Sequence, residues 1–268
     1  HQVTPAMLSG LDLARFPITS IHEPCPAVIP ADTLKKQDLL ISSPDEERRR
    51  QGVDSIRRSI DLAGQLGVKV IVIHSGMVQV DPSWEQRLVA LLNAGQKDSA
   101  EYQEIKLDMQ KARAGMVAPC LQAVEKSLHE LLDYAGRSGI RLGLENRYHY
   151  FDIPSPGEMA HFLTLADDER LGVIYDTGHA HAMDQLGFYP HEEWLKRFAD
   201  RIILTHLHDA VGVQDHKTPG LGDINFKMVA GYLPASALRT MEVQSHHDYA
   251  QIRQGIQYLV DTGCVQSL

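Results

Sequence analysis

Short apolar runs, most of them rich in β-branched residues, alternate along this chain with longer stretches of mixed apolar and polar residues. Residues 68–73 form the clearest apolar run. Five similar runs lie at residues 18–21, 142–144, 171–175, 202–205 and 238–241. Such runs are typical of buried strands, whereas the spacing in residues 4–15 and 45–64 predicts amphipathic helices. Because strands that alternate with helices pair in parallel through crossovers, the pattern predicts an α/β fold.

A long polar stretch, residues 77–118, interrupts this alternation. Residues 83–92 and 100–114 within it have helical spacing, so we predict a helical insertion at about 77–118. Two hypotheses stay open for its role. It forms a lid over the ends of the strands, or it is a helical hairpin on the surface without a function.

Composition limits the classes of protein to consider. A chain of 268 residues that is 43% hydrophobic suits one large domain, and no repeat or linker divides residues 1–268, so we predict a single domain. No apolar run approaches the roughly 20 residues that cross a bilayer, and a net charge of −9 offers no basic surface for nucleic acid. Three widely spaced cysteines without a CxxC pair argue against disulfides or a thiolate zinc site, so we expect a cytoplasmic protein.

A potential metal ligand stands at the end of every predicted strand. In chain order these residues are His22, His74, Glu145, Asp176, His206 and Glu242. Histidine and the two acidic residues together make up about one residue in five, so chance would supply only about one of the six. The carboxyl ends of parallel barrel strands converge on one face, where the active sites of such barrels lie. Carboxylates with neutral imidazoles suit Zn²⁺, Mn²⁺, Co²⁺ or Mg²⁺ acting as a Lewis acid, so the pattern predicts a divalent-metal site.

Five short motifs occur in a fixed order from about residue 18 to the end of the chain. They are IHSG at 73–76, LENR at 144–147, YDTGH at 175–179, HLHD at 206–209 and PGLGD at 219–223. Together they resemble the xylose isomerase-like TIM barrel superfamily, which includes sugar (phosphate) isomerases and epimerases and endonuclease IV-type enzymes. The resemblance implies a (β/α)8 barrel. Since only six strands are evident, we expect the first two or so to be missing from this chain.

The resemblance also implies roles for individual residues. The core metal ligands would be Glu145, Asp176, His206 and Glu242. In the epimerases the two glutamates also exchange the substrate proton. His179 would contact the substrate in the isomerases and bind a further metal in the endonuclease pattern.

Additional metal ions are implied only by the endonuclease side of the resemblance. His22, His74 and His216 match ligand positions of that pattern, so one to three ions are expected. The pattern has an aspartate two residues before His216, where this chain has Gln214. Asp215 is adjacent but shifted by one residue, which argues against a complete three-metal site.

Several neighbouring residues have two interpretations. His22 and His74 are ligands or substrate contacts, or else packed and hydrogen-bonded histidines. Arg147 holds a phosphate or carboxylate of the substrate, or forms a salt bridge to a nearby acid. We expect His208 and Asp209 to orient His206 or to cap a helix. Four histidines are expected to be solvated: His149, His181, His246 and His247. Residues 219–223 are interpreted as a tight turn before a helix that begins at Phe226.

The function favoured by this sequence is a sugar (phosphate) isomerase or epimerase that works through a metal-stabilised enediolate, with Glu145 and Glu242 as the acid/base pair. A multi-zinc phosphodiesterase of the endonuclease IV type is the alternative. A metal-dependent dehydratase of a keto-sugar or keto-inositol uses the same residues. A sugar-sensing module without activity is less favoured, because all four core positions carry competent ligands. The expected partner is a small carbohydrate or sugar phosphate, and self-association stays open.

Overall fold

The computed structural model of the chain describes Met7, Gly10 and residues 12–167, 169–244 and 247–266. Half of the residues of the helix predicted over residues 4–15 therefore lie outside the described residues. The chain folds into two compact units. The first comprises His1–Val80, Arg113–Glu145 and Phe151–Gly172, and the second comprises Asp81–Ala112, Asn146–Tyr150 and Val173–Leu268.

Three parallel strands form the sheet of the first unit, in the order β1 (Ile21–His22), β2 (Val70–Ile73) and β3 (Arg141–Glu145). All four residues of β2 are buried, as the continuous apolar run predicts for a strand covered on both faces. The strand predicted over residues 18–21 is shorter than expected. It pairs with β2 only through Ile21 and His22, and the prolines that follow at 24 and 26 lack the N–H that a longer ladder would need.

The helices of the first unit are α1 (Ala31–Lys36), α2 (Glu46–Leu66) and α5 (Pro156–Phe162), which a 3₁₀ turn follows at Leu163–Leu165. The predicted helix over 45–64 is confirmed as α2. Its N-cap is Asp45, whose side chain accepts a hydrogen bond from the Arg48 amide, and its C-cap is Gly67 in the left-handed region at φ 71°. Aspartate is preferred at the N-cap of a helix, and glycine is preferred just after its C-terminal end.

The insertion contains the two predicted helices, α3 (Ser83–Asn93) and α4 (Ala100–Gly136). The second continues beyond residue 118, because Pro119 lies within it without ending it. The helix thus runs directly from the insertion to the segment before β3. Within the described residues, no helix is both long enough and apolar enough to cross a membrane.

The second unit has its own set of parallel strands, in the order β4 (Leu171–Asp176), β5 (Ile202–Leu207) and β8 (Leu238–Met241). Asp176 is in register with His206, and Leu207 with Met241. The first two residues of β4 belong to the first unit.

Helices and a hairpin complete the second unit. A two-stranded antiparallel hairpin, β6 (Asp209–Val211) with β7 (Gln214–Lys217), follows β5. The remaining helical segments are α6 (Thr177–Gln185), α7 (His191–Phe198), a 3₁₀ turn at Ala199–Arg201, α8 (Phe226–Ala230) and α9 (Tyr249–Asp261). The helix expected to begin at Phe226 is confirmed.

Candidate functional site

Three of the predicted ligands meet in the first unit. His22 is the last residue of β1, His74 follows β2 and Glu145 ends β3. Nε2 of His74 lies 2.9 Å from Oε2 of Glu145, a carboxylate that is only 1% exposed. The rings of His22 and His74 contact edge to face, with their centroids 4.4 Å apart. One ligand atom from each residue lies within 4.8 Å of those of the other two. The parallel pairing of β1, β2 and β3 therefore brings these three side chains together.

Glu23 organises this cluster. Its side chain accepts a hydrogen bond from the backbone N–H of His74 at 3.1 Å, and its own N–H donates to the carbonyl of Val72. Nδ1 of His22 donates to the carbonyl of Glu23 at 2.8 Å. That bond defines the tautomer with its lone pair on Nε2, the form in which histidine binds a metal. Glu23 is not among the residues predicted from the sequence, although its position directly after His22 and before a proline singles it out.

The other three strand-end residues meet in the second unit. Asp176 ends β4 and is fully buried, His206 lies one residue before the end of β5, and Glu242 follows β8. Nδ1 of His206 is 2.9 Å from Oε2 of Glu242 and 3.7 Å from Oδ2 of Asp176. The pairing of Asp176 with His206 in the β4–β5 ladder places their side chains on the same face.

Both carboxylates of this cluster are held in the ionised form. Burial by itself would raise the pKa of Asp176, but the imidazoles of His179, His208 and His206 outweigh it and hold the pKa well below its usual range. For Glu242, burial is likewise opposed and outweighed by hydrogen bonds from His206 and His216, so its pKa is also lowered. Carboxylates that stay charged beside imidazoles are a donor set suited to a divalent cation.

A second group of polar side chains adjoins Asp176. The backbone N–H of His179 donates to Oδ1 of Asp176 at 2.8 Å, and Nδ1 of His179 donates to the carbonyl of Asn146 at 2.9 Å. His216 lies 3.1 Å from Asp215 and 3.7 Å from Glu242, measured between Nδ1 and Oδ1 and between Nε2 and Oε1. The hydrogen bonds that His216 donates to these two carboxylates raise its pKa to about 10.

Asp215, which is shifted by one residue from the aspartate position of the endonuclease pattern, is part of this group. Gln214 is exposed, whereas Oδ2 of Asp215 lies 3.9 Å from Nε2 of His179. His216 belongs to strand β7, and its φ of 56° is in the left-handed region. The hairpin therefore turns Asp215, and not Gln214, toward the two histidines.

His208 and Asp209 have partners other than the expected His206 ring. Nε2 of His208 donates to Oδ2 of Asp176 at 2.9 Å. The carboxylate of Asp209 accepts four backbone N–H groups, from Ala210, Gly220, Gly222 and Ile224. Asp209 thus organises the predicted tight turn at 219–223, and His208 orients Asp176.

The loop after β3 supplies two residues that were not predicted from the sequence. The side chain of Asn146 brackets the backbone of Asp176: Oδ1 accepts from its N–H at 2.8 Å, and Nδ2 donates to its carbonyl at 2.9 Å.

The hydroxyl of Tyr148 donates to the carbonyl of Val213 in the hairpin at 2.6 Å. Its ring lies 5.9 Å from that of His179, measured between centroids. Burial, with Asp215 and Glu85 nearby, raises the pKa of Tyr148 to about 12. Arg147, which lies between Asn146 and Tyr148 in the sequence, is buried.

The histidines expected to be solvated have different surroundings. His149 is exposed and contacts Glu85, whereas His181 is buried, and burial lowers its pKa. Nδ1 of His247 lies 3.1 Å from the hydroxyl of Thr218. His246 lies outside the described residues.

A parallel α/β arrangement with carboxylates and imidazoles at the ends of its strands is typical of enzymes with a TIM-barrel fold. The sequence model of the family described as xylose isomerase-like TIM barrel matches residues 37–262, and the chain belongs to this family. The predicted fold class is thereby confirmed, with six of the barrel's strands among the described residues.

Individual proteins are similar to this chain in sequence or in fold. The uncharacterized protein MJ1311 of Methanocaldococcus jannaschii is 26% identical over 192 residues, which are 70% of this chain and 54% of that protein. The chain thus spans about half the length of this curated relative. A solved D-tagatose 3-epimerase-like protein is similar in structure, with a TM-score of 0.66 and 21% identity over 97% of this chain and 83% of that one. The IOLI protein with a binding zinc atom has a TM-score of 0.62 and 15% identity over 97% of this chain and 84% of its own.

Proposed function

We propose that this chain is a divalent-metal-dependent sugar isomerase or epimerase in which Glu145 and Glu242 form the acid/base pair. The observation that carries the proposal is a repeated carboxylate–imidazole contact at the ends of parallel strands. Glu145 contacts His74 in the first unit, and Glu242 contacts His206 in the second, each at 2.9 Å. The structural similarity to a D-tagatose 3-epimerase-like protein supports the same class of reaction.

We assign one core cation to four ligands, Glu145, Asp176, His206 and Glu242. The buried Glu145, the ionised Asp176 and the neighbouring imidazole of His206 fit such a group by the chemistry of their donors. When bound, a cation of this kind supplies Lewis-acid polarisation of a carbonyl and its neighbouring hydroxyl. His22 and His216 are candidates for further ligands, and His74, His179 and Arg147 for contacts with the substrate.

The residues of the chain move the proton. One glutamate, as the carboxylate, removes the proton from the carbon next to the carbonyl and becomes the acid. The other, as the carboxylic acid, gives a proton to the neighbouring carbon or to the opposite face and becomes the carboxylate. Glu242 is ionised at neutral pH, and its side chain, 35% exposed, is accessible to a substrate. Asp176 is fully buried and its carboxylate already accepts two hydrogen bonds, so it serves as a fixed ligand and not as a base.

The test is proton exchange between solvent and a bound ketose. The purified protein is incubated with Mn²⁺ or Co²⁺ and a panel of ketoses that includes D-tagatose in deuterated water. We expect deuterium at the carbon next to the carbonyl in wild-type reactions and none with Glu242→Gln. Glu104→Gln, at an exposed position of α4, is the matched control. Undiminished exchange by Glu242→Gln would reject its role as a base.

A phosphodiesterase with more than one metal ion is a second candidate, favoured by one observation. Asp215 lies beside His179 and His216 and supplies the carboxylate that Gln214 cannot. Metal content per chain separates the two functions. Three zinc ions and hydrolysis of a model phosphodiester would replace the first proposal with the second.

A further inference from the structure

His208 connects the carboxylate of Asp176 to the β6–β7 hairpin. Asp176 is fully buried, and each of its carboxylate oxygens accepts one short hydrogen bond. Oδ1 accepts the N–H of His179 at 2.8 Å, and Oδ2 accepts Nε2–H of His208 at 2.9 Å. The first bond is local, because it caps helix α6, whereas the second comes from 32 residues away in the chain. The direction of the carboxylate therefore depends on His208.

The opposite nitrogen of the same ring is also engaged. Nδ1 of His208 accepts the backbone N–H of His216 at 2.9 Å. An acceptor at Nδ1 requires the proton of the neutral ring to be at Nε2, so the two hydrogen bonds specify one tautomer. The ring also stacks on that of His216, with centroids 4.3 Å apart and planes at 9°.

His216 needs this support because of its backbone. Its φ of 56° is uncommon for a residue other than glycine and costs free energy unless neighbouring contacts hold it. The bond to His208 fixes its N–H, and its carbonyl accepts the N–H of Gln244 at 3.3 Å. The space for the His208 ring is provided by Gly178, where a Cβ atom would lie 2.1 Å from Cε1 of His208.

We infer that His208 is a positioning residue that aims the Asp176 carboxylate at the core cation and holds His216 at the wall of the same site. The inference rests on the proposed function for the metal itself. A buried partner that orients a ligand carboxylate typically changes metal affinity 10–100-fold when it is removed. His208 acts on the cation only through Asp176.

Two substitutions separate the two hydrogen bonds. The amide nitrogen of glutamine occupies the place of Nε2, so His208→Gln keeps the donor to Asp176 and loses the acceptor for His216. The shorter side chain of asparagine places its oxygen near Nδ1, so His208→Asn keeps the acceptor and loses the donor. We expect His208→Asn to bind Co²⁺ about 10–100-fold more weakly than wild type, and His208→Gln to bind it nearly as well.

The experiment has two readouts. Equilibrium dialysis, with the visible absorption of Co²⁺ as its spectroscopic signature, gives the metal affinity of wild type and both variants. Long-range ¹H–¹⁵N spectra of the metal-free wild type assign the tautomer of His208, and amide exchange reports the His216 N–H. We expect Nε2–H in wild type and faster exchange of His216 only in His208→Gln.

The outcomes distinguish the positioning role of His208 from the proposed metal-dependent function. Co²⁺ binding by wild type with unchanged affinity in His208→Asn would reject the positioning role alone. A proton on Nδ1 of His208 in the metal-free protein would reject it without reference to any metal. A wild-type protein that binds no divalent metal would reject the proposed function and this role with it.

Discussion

The carboxylate of Glu85, on helix α3 of the insertion, lies 2.7 Å from Nδ1 of His149 in the loop that follows β3. The second oxygen of Glu85 accepts the N–H of Tyr150 at 3.4 Å. Farther along the insertion, the buried hydroxyl of Tyr102 donates to the carbonyl of Leu186. The contacts of Glu85 attach the insertion to the loop that carries Asn146, and the bond of Tyr102 attaches it to the residue that follows helix α6.

Replacement of Glu85 with alanine should loosen that loop. The loss of hydrogen bonds from a charged group costs about 1.5–3 kcal/mol. We expect the amides of residues 146–150 to exchange at least about tenfold faster, since about 1.4 kcal/mol corresponds to a factor of ten. Hydrogen exchange followed by mass spectrometry measures this, with Glu104→Ala as the control. Unchanged protection of Tyr150 would mean that the insertion does not hold the loop.

Gly178 should tolerate no side chain. An added Cβ would lie 2.6 Å from Nδ1 of His208 and 3.1 Å from the Cβ of Asp215. We expect Gly178→Ala to lower the free energy of unfolding by about 1–3 kcal/mol, the usual cost of overpacking, and to weaken metal binding.

The matched control is Gly115 in the interior of helix α4, where nothing lies within 4 Å of an added Cβ. Gly115→Ala should raise stability by about 0.4–1 kcal/mol, because alanine loses less conformational freedom on folding. Urea denaturation of both variants gives the comparison. Equal effects of the two substitutions would contradict the packing argument.

The buried ion pair of Arg113 and Glu158 should make stability depend on pH. The guanidinium donates two hydrogen bonds to the carboxylate, at 2.7 and 2.8 Å. Burial alone would raise the pKa of Glu158, but the bonds from Arg113 and from the Ser155 cap outweigh it and lower the pKa below its ordinary value of 4.5. A lowered folded-state pKa means that the stabilisation is present above pH 4.5 and is lost as the pH falls through the folded-state value.

Glu158→Gln should therefore be less stable than wild type by about 1.5–3 kcal/mol at neutral pH. The difference should shrink as the pH is lowered below 4.5, where the wild-type carboxyl also becomes neutral. Denaturant unfolding across this pH range measures it, and Glu104→Gln should show no such trend. A difference that is constant with pH would argue against the ion pair as its cause.

Removal of the metal should lower thermal stability. A cation that binds only the folded chain stabilises it by about 2.7 kcal/mol at 100 times its Kd. For a chain of this size that corresponds to a rise in Tm of about 5–10 °C. Differential scanning calorimetry with Zn²⁺, Mn²⁺ or a chelator tests this. Asp176→Asn should show a much smaller metal-dependent shift, and a full shift in that variant would place the cation elsewhere.

Several features of this protein follow from its sequence alone. The apolar residues specify the strands and helices. A buried parallel strand requires a continuous apolar run, whereas an amphipathic helix has apolar residues at helical spacing. The ligand types follow as well, since parallel strands place their carboxyl ends on one face and each run ends in His, Asp or Glu. The contact between the His179 amide and Asp176 is equally local, because an N-cap binds the residue three positions later.

Other features were decided by tertiary structure. Whether Gln214 or Asp215 faces His179 depends on the β6–β7 hairpin, where the register shifts between Asp209 and Val211. Side chains of a strand alternate between its faces, so a slip of one residue exchanges the side chain that faces the site. The bond between His208 and Asp176 likewise joins residues 32 positions apart. Such contacts arise only when the strands have packed, because they depend on distances in space that the spacing of residues along the chain does not contain.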